Sequence, residues 1–449
     1  MSKNASEELG TKPISELIVS QSVPAAIGIL VMSLNLVVDT IFVGNFIGPI
    51  AIAVITVVMP IAFFIASVGM AVGVGSASII SRAFGSNNEE KAFHTFGNQL
   101  ILSFGLSILL AGLGLFFTEG ALKLFGAEGE VMAPAKIYYT IVMASAPFLA
   151  MVMSGNPIIR AVGKPKFAMI AMIVPSFVNL LLDYILIVMY DGGIAGAGWA
   201  TAASYFSSFL FILWFFTSDV SDLKIKWKCL RLQWPIVKEI GSLGGVTLAR
   251  QGVVSLLAVI LNNTLFTYGG GNALATYGII SRMLMFSLFP VMGIAQGYQP
   301  IAGYNYGAEK YGRVKETVNK SIYYATGIAI LIFIVIMIFP DYIVRVFTSD
   351  PEILKNTPNA LRTVFAITPL ISVQLIGSSF FQAIGKAKPA LFLSLSKQGF
   401  FLIPLIMILP NYFGLLGVWI SFPIADFLST ALTWIYLRKE MRENLPDGV

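Results

Sequence analysis

The chain has 449 residues, of which 57% are hydrophobic and only 12% charged, and its mean hydropathy is +0.82. Ordinary soluble domains carry about twice that charge, so a soluble enzyme, a nucleic-acid binder and a disordered tail are excluded. The net charge of +6 comes from bases lying between apolar stretches, one cysteine (Cys229) excludes a disulfide framework, and one histidine (His94) excludes a multi-histidine metal site.

The first fifteen residues are polar and hold Glu7 and Glu8, which is not the pattern of a cleaved signal peptide. Twelve apolar spans follow, at 20–44, 51–81, 94–118, 132–161, 166–190, 194–217, 238–268, 273–302, 318–340, 353–384, 389–410 and 414–437. Each is long enough to cross a hydrocarbon core of ~30 Å. Each must be helical, because lipid offers the backbone no hydrogen-bond partner and the alternation of a barrel strand is absent. The expected fold is therefore an all-α integral membrane protein with twelve transmembrane helices.

The loops predict the orientation. With the N-terminus inside, 21 Lys and Arg fall in cytoplasmic segments, from Lys3 to Arg442, and five fall outside: Lys123, Lys136, Arg345, Lys355 and Arg362. The remaining three of the 29 bases, Arg250, Arg282 and Lys397, lie inside spans. The bias places both termini in the cytoplasm.

The longest polar connection lies near the middle of the chain, and the two halves repeat. Shifted by 222 residues, GSASIISRAFG from Gly75 falls on GYQPIAGYNYG from Gly297, and IIRAVGKPKFA from Ile158 falls on FFQAIGKAKPA from Phe380. GIAGAGW from Gly193 falls on GLLGVW from Gly414, one residue out of step. Six spans per half make the repeats parallel, a transporter design with a cavity between halves. The expected domains are a six-helix lobe over 1–217, a cytoplasmic linker over 218–237 and a second lobe over 238–449.

Three of the 23 acids fall inside spans: Asp39, Asp183 and Asp426. Buried carboxylates are costly in lipid and are functional candidates by default. Asn179 precedes Asp183 by four residues and shares its helix face, and Thr201 lies just inside the next span. Together with Asp39 they provide oxygens for a proton or a hard cation. Burial and mutual repulsion favour one carboxyl carrying a proton. A purely structural role, stitching helices together, is the competing reading. The second half does not repeat the acids: Leu261 stands opposite Asp39, and Leu405 opposite Asp183. There Lys397 either pairs with Asp426 or contacts substrate. Pro24 interrupts the first helix and serves either as a hinge or as a static kink. The candidates for a substrate cavity are Asn35, Tyr139, Asn156, Gln251, Arg282 and Lys397. No phosphate loop, H-E-x-x-H or G-x-S-x-G is present, so energy comes from an ion or substrate gradient, and neither an enzyme nor a cofactor is expected.

These residues resemble the multidrug and toxic compound extrusion (MATE) family over nearly the whole chain. The resemblance rests on VDTIFVGNFIGPIAIAV from Val38, the GSASIISRAFG and GYQPIAGYNYGAEK stretches, RAVGKPK from Arg160, and NLLLDYILI followed by GIAGAGWATAAS. It implies cation-coupled antiport of amphiphilic compounds by two six-helix, pseudo-symmetric lobes in a V, alternating between inward and outward states. It is most similar to the DinF-like branch, in which Asp39, Asn179, Asp183 and Thr201 match the ion site and Pro24 the helix-1 proline. Asn156 departs from relatives that carry a glutamate there. The implied partners are the lipid bilayer and a small amphiphilic organic substrate, with H⁺ or Na⁺ as coupling ion, no nucleic acid and a monomeric state, in the plasma membrane. The alternative within the superfamily is a flippase for a lipid or lipid-linked sugar.

Overall fold

The structure, a computed structural model, describes residues 5–446. Lys3 and both chain ends lie outside the described residues. Among those described, every regular element is helical.

Twelve membrane helices run in chain order: α1 Ile14–Phe46, α2 Pro49–Gly85, α3 Glu89–Phe116, α4 Met132–Ala161, α5 Pro165–Asp183, α6 Gly193–Thr217, α7 234–269, α8 271–307, α9 Tyr311–Ile338, α10 351–383, α11 387–413 and α12 Leu415–Glu443. Eleven separate helices are long and apolar enough to cross a membrane, because α7 and α8 form one 74-residue element broken only at Gly270. Gly270 has φ 61°, a conformation that lets the chain reverse there without a side-chain clash. Two short helices, Thr118–Leu124 and Pro340–Phe347, precede α4 and α10 at matching places in the two halves. α10 is interrupted by a 3₁₀ turn at Thr368–Leu370. α5 runs on into a π-helical stretch, Tyr184–Met189, and α11 contains one, Ser396–Leu402. The helices overrun the predicted spans at their C-terminal ends: α2 continues to Gly85 and α8 to Gly307. Hydropathy marks only the lipid-facing length, whereas the helical hydrogen bonds continue into water.

The helices form two packing units. One comprises residues 5–11 and Ile27–Thr247, the other Lys12–Ala26 and residues 248–446. The divisions fall inside α1 and α7, not in the 218–237 connection. The first unit is built on a cluster that includes Val54, Ile55, Val58, Tyr139, Val142, Met143 and Ala146. The second has Leu257, Leu261, Ile280, Phe365, Ile406, Trp419 and Phe422 in the corresponding role. Apolar surface gives helices little reason to associate in lipid, so close backbone approach has to do it. On α2, Gly69 and Gly73 lie against Ala150 and Ser154 of α4, so that a Cβ on Gly69 would come within 2.6 Å of the Ala150 carbonyl oxygen.

The repeat noted in the sequence has a packing counterpart. A Cβ on Gly75 of α2 would meet the Ile240 carbonyl at 2.6 Å and the Gly244 nitrogen at 3.0 Å. A Cβ on Gly297 of α8 would meet the Ser22 nitrogen at 2.7 Å. Gly244 is Ser22 plus 222. The opening turns of α7 thus pack on α2 in the first unit, and those of α1 pack on α8 in the second. Charge reinforces the first contact: Glu239, at the edge of α7 and overlooked among the span acids, accepts from Arg82 at 2.8 Å and Lys91 at 3.1 Å. In the second unit, Arg313 donates to the Lys12 carbonyl at 2.6 Å and Lys320 to the Ser15 hydroxyl at 2.9 Å.

Candidate functional site

The site is built from two matching helix faces. α1 carries Asn35 and Asp39, and α5 carries Asn179 and Asp183, each pair four residues apart and therefore on one face. α1 and α5 both start from the same side in the repeat topology, so the faces pair rung by rung. In the first rung, Asn35 Nδ2 donates to Asn179 Oδ1 at 3.0 Å. In the second, the carboxyls of Asp39 and Asp183 lie within hydrogen-bonding reach of each other. The asparagine rung satisfies itself, because an amide both donates and accepts. The aspartate rung does not, because two carboxylates only accept.

The surroundings add little to that rung. Asp183 is 0% exposed. Both of its oxygens, and Oδ1 of Asp39, are buried with no hydrogen-bond donor. Asp183 is also the last α-helical residue of α5 before the π-helical stretch begins at Tyr184, and local widening of this kind recurs at functional positions. Tyr138 of α4 and Tyr205 of α6 stand within electrostatic reach of Asp39. The Tyr138 hydroxyl meets the side chain of Thr201. The rung therefore consists of two acids flanked by phenols and amides. A proton or a cation placed between the carboxyls would satisfy both.

The remaining candidates scatter. Tyr139 is wholly buried in the first unit's core, with its hydroxyl against Gly114. Successive residues on a helix point about 100° apart, so Tyr138 faces the acids and Tyr139 faces away. Asn156 is likewise a brace: Nδ2 donates to the Ala168 carbonyl at 2.7 Å, and Oδ1 accepts from Arg160. Gln251 and Arg282 are exposed and Arg250 is half-buried. Lys397 lies 2.7 Å from Asp426, with the two side chains 19% and 8% exposed. Pro24 is buried within continuous helix, two residues before the division at Ala26. His94 is mostly covered and lies 3.8 Å from Glu90. Among the described residues, no three His, Cys, Asp or Glu gather as a metal site.

Sequence reasoning missed Tyr138 and Tyr205. Tyr205 lies four residues after Thr201, the same spacing that links Asn179 to Asp183, so that signal was available. Nothing in the sequence distinguishes Tyr138 from its neighbour.

Comparison with known proteins gives a repeat at the same place. The MatE family model matches twice, over residues 24–185 and 248–408. The chain belongs to the MatE family. Its two matched segments begin 224 residues apart, close to the internal shift, and the first ends just beyond Asp183. This MatE protein is 26% identical over 430 residues to the multidrug export protein MepA of Staphylococcus aureus, covering 95% of each chain. An outward-facing multidrug resistance MATE transporter of the MOP superfamily superposes with a TM-score of 0.92 at 26% identity over 100% of both chains. A MOP superfamily transporter from Pyrococcus furiosus, described as having a binding pocket of reverse polarity, superposes at 0.91 with 27% identity over 98% of each chain. The MatE chain is a multi-pass membrane transporter with a two-lobe, pseudo-symmetric fold, and it is not an enzyme.

Proposed function

We propose that this protein is a secondary antiporter that exports amphiphilic drugs or toxic organic compounds and admits H⁺ or Na⁺ through the Asp39–Asp183 rung. One observation carries the reading: two buried carboxyls face each other with three oxygens lacking any donor. Such a pair is expensive in lipid unless a cation joins it. An ion that binds there in one conformation and leaves in another couples its gradient to substrate affinity, reciprocally and without touching the substrate. Asn35 and Asn179 hold the two helices at fixed spacing, and Tyr138, Tyr205 and Thr201 adjust the polarity around the rung. Alternating access is the conformational cycle this coupling needs. The excess of bases on one side orients the chain with both termini in the cytoplasm of a plasma-membrane protein, and a single chain holds the whole rung.

The relatives' names, multidrug export and multidrug resistance, support the substrate class. A flippase binding a phosphate would call for free cations within the membrane. Lys397, one of the three candidates, is occupied by Asp426, which removes it as support for that alternative.

The test is dye accumulation by inverted vesicles, driven in one series by a pH gradient and in another by a Na⁺ gradient. One of the two is expected to drive accumulation, and Asp39→Asn to abolish it. Dye movement indifferent to both gradients would overturn the coupling.

A further inference from the structure

The polar connection between α6 and α7 is fixed in place. Asn98 of α3, fully buried, donates to the Arg231 carbonyl at 3.1 Å and accepts from the Gln233 N–H at 2.8 Å. Beside it, Gly97 lies so close to the Cys229 carbonyl that any side chain there would collide. Lys226 Nζ stands 3.4 Å from the centre of the Phe93 ring. The Ser221 hydroxyl closes a local turn, donating to the Leu223 carbonyl at 2.8 Å and accepting from its N–H at 3.2 Å.

This pinned backbone presents an unusual surface. Trp227 is 85% exposed, Trp234 74% and Leu232 54%. Lys224, Lys226, Lys228, Arg231 and Lys238 are exposed among them. Lys224 is paired with Asp219, whereas Lys228 and Arg231 have no acidic partner among the described residues. Tryptophan rings favour the headgroup level of a bilayer, and clustered bases beside it favour anionic lipid. The depth agrees. At 1.5 Å per residue, Asn98 lies about 27 Å along α3 from Phe116, and Phe116 and Phe117 are 79% and 60% exposed. A hydrocarbon core is ~30 Å thick. With the two phenylalanines at one interface, the connection reaches the other.

We propose that residues 226–234 form a docking surface for anionic lipid. Trp227 and Trp234 seat among the headgroups, and Lys226, Lys228 and Arg231 hold the phosphates of a phosphatidylglycerol-type leaflet. The occupant is the bilayer surface itself, recognised by negative charge at a fixed depth.

The test uses the full-length protein in nanodiscs of phosphatidylcholine, alone or mixed with phosphatidylglycerol. In a Cys229→Ser background, Trp227→Cys carries a nitroxide. The label is expected to be shielded from a water-soluble nickel chelate, and more so with phosphatidylglycerol. A label as accessible as in bulk water would overturn the proposal and mark the surface as protein-facing or solvent-facing. Selectivity for labelled phosphatidylglycerol over phosphatidylcholine is then measured. It should fall by up to about fivefold for each of Lys226→Gln, Lys228→Gln and Arg231→Gln at low salt, while Lys224→Gln leaves it nearly unchanged. Raising the salt should erode wild-type selectivity as well, a readout that needs no substitution. Selectivity that ignores both salt and these bases would refute the proposal.

Discussion

The two halves share a fold and divide their charges in opposite ways. In the first unit, Asp39 and Asp183 face each other without a donor between them. In the second, α11 and α12, the counterparts of α5 and α6, carry Lys397 and Asp426 in an ion pair at 2.7 Å. The shift of 222 residues places Lys397 opposite Pro175 and Asp426 opposite Ser204, which lie about one turn nearer the start of α5 and the end of α6 than Asn179 and Thr201 do. Leu405 and Leu261 take the places of the acids. The second unit's pair is closed in charge: the Lys397 ammonium faces the Asp426 carboxylate, and the two neutralise each other. The first unit's pair is open, with three carboxyl oxygens lacking a donor, and in the proposed mechanism an arriving cation completes it. A duplicated scaffold thus pairs acid with base in one half and acid with acid in the other, and the proposed coupling rests on that difference.

The largest expected effect breaks the open pair. Asp39→Asn and Asp183→Asn should each abolish gradient-driven dye accumulation in inverted vesicles. The protein should remain folded, because a neutral amide costs less to bury than an unpaired carboxylate. Size-exclusion profiles would show the folded protein, and normal transport by either variant would remove the rung from coupling. Next in size is the closed pair. Lys397→Met or Asp426→Asn alone strands a charge and should destabilise by about 3–5 kcal/mol. The double variant should recover much of that loss, which thermal unfolding of all three proteins would reveal as a non-additive cycle. Additive losses would mean the two side chains act separately.

A smaller effect is expected at Pro24, which sits where α1 passes from one unit to the other. Pro24→Ala restores a backbone donor and stiffens that crossing. Substrate binding should persist while turnover slows several-fold, measured as binding and transport on the same preparation. Wild-type turnover would exclude bending at this point. The smallest effect provides the surface control. Lys136 bonded to Glu119 holds that carboxyl below its usual range, so the pair persists as the pH falls until it passes the lowered value. Glu119 is fully exposed, and solvent screens such pairs. Glu119→Gln should leave both transport and unfolding temperature unchanged across neutral pH, in contrast to Asp426→Asn.

Much of this was legible from the residues. Twelve spans follow from hydropathy, because lipid forces helices wherever apolar length suffices. The repeat was visible as matching glycine-rich islands, and Gly75 and Gly297 prove to make equivalent contacts. The acid pair could be read because intramembrane carboxylates are rare, and the i, i+4 spacing aligned Asn179 with Asp183. Facing direction could not be read: Tyr138 and Tyr139 are identical in type and adjacent in sequence, and both join the first unit's core, yet only Tyr138 reaches the acids while the Tyr139 hydroxyl lies against Gly114. Asn156 looked like a cavity wall because its polar side chain lies in a span, yet it bonds to Arg160 and the Ala168 carbonyl. The exchanged opening turns of α1 and α7 were also hidden, since the choice between two similar neighbours depends on shape.

That exchange bears on how the chain is made. The ribosome delivers residues 12–26 first, yet their partners on α8 come nearly three hundred residues later. The first six helices can enter the membrane, but their unit stays incomplete until residues 234–247 have been synthesised and have docked on α2. Neither half is a finished folding unit by itself, and assembly must wait for α7 and α8. Cutting the gene within the 218–233 connection would leave each fragment holding a strap that belongs to the other. The two fragments should then mature only when produced together in one cell.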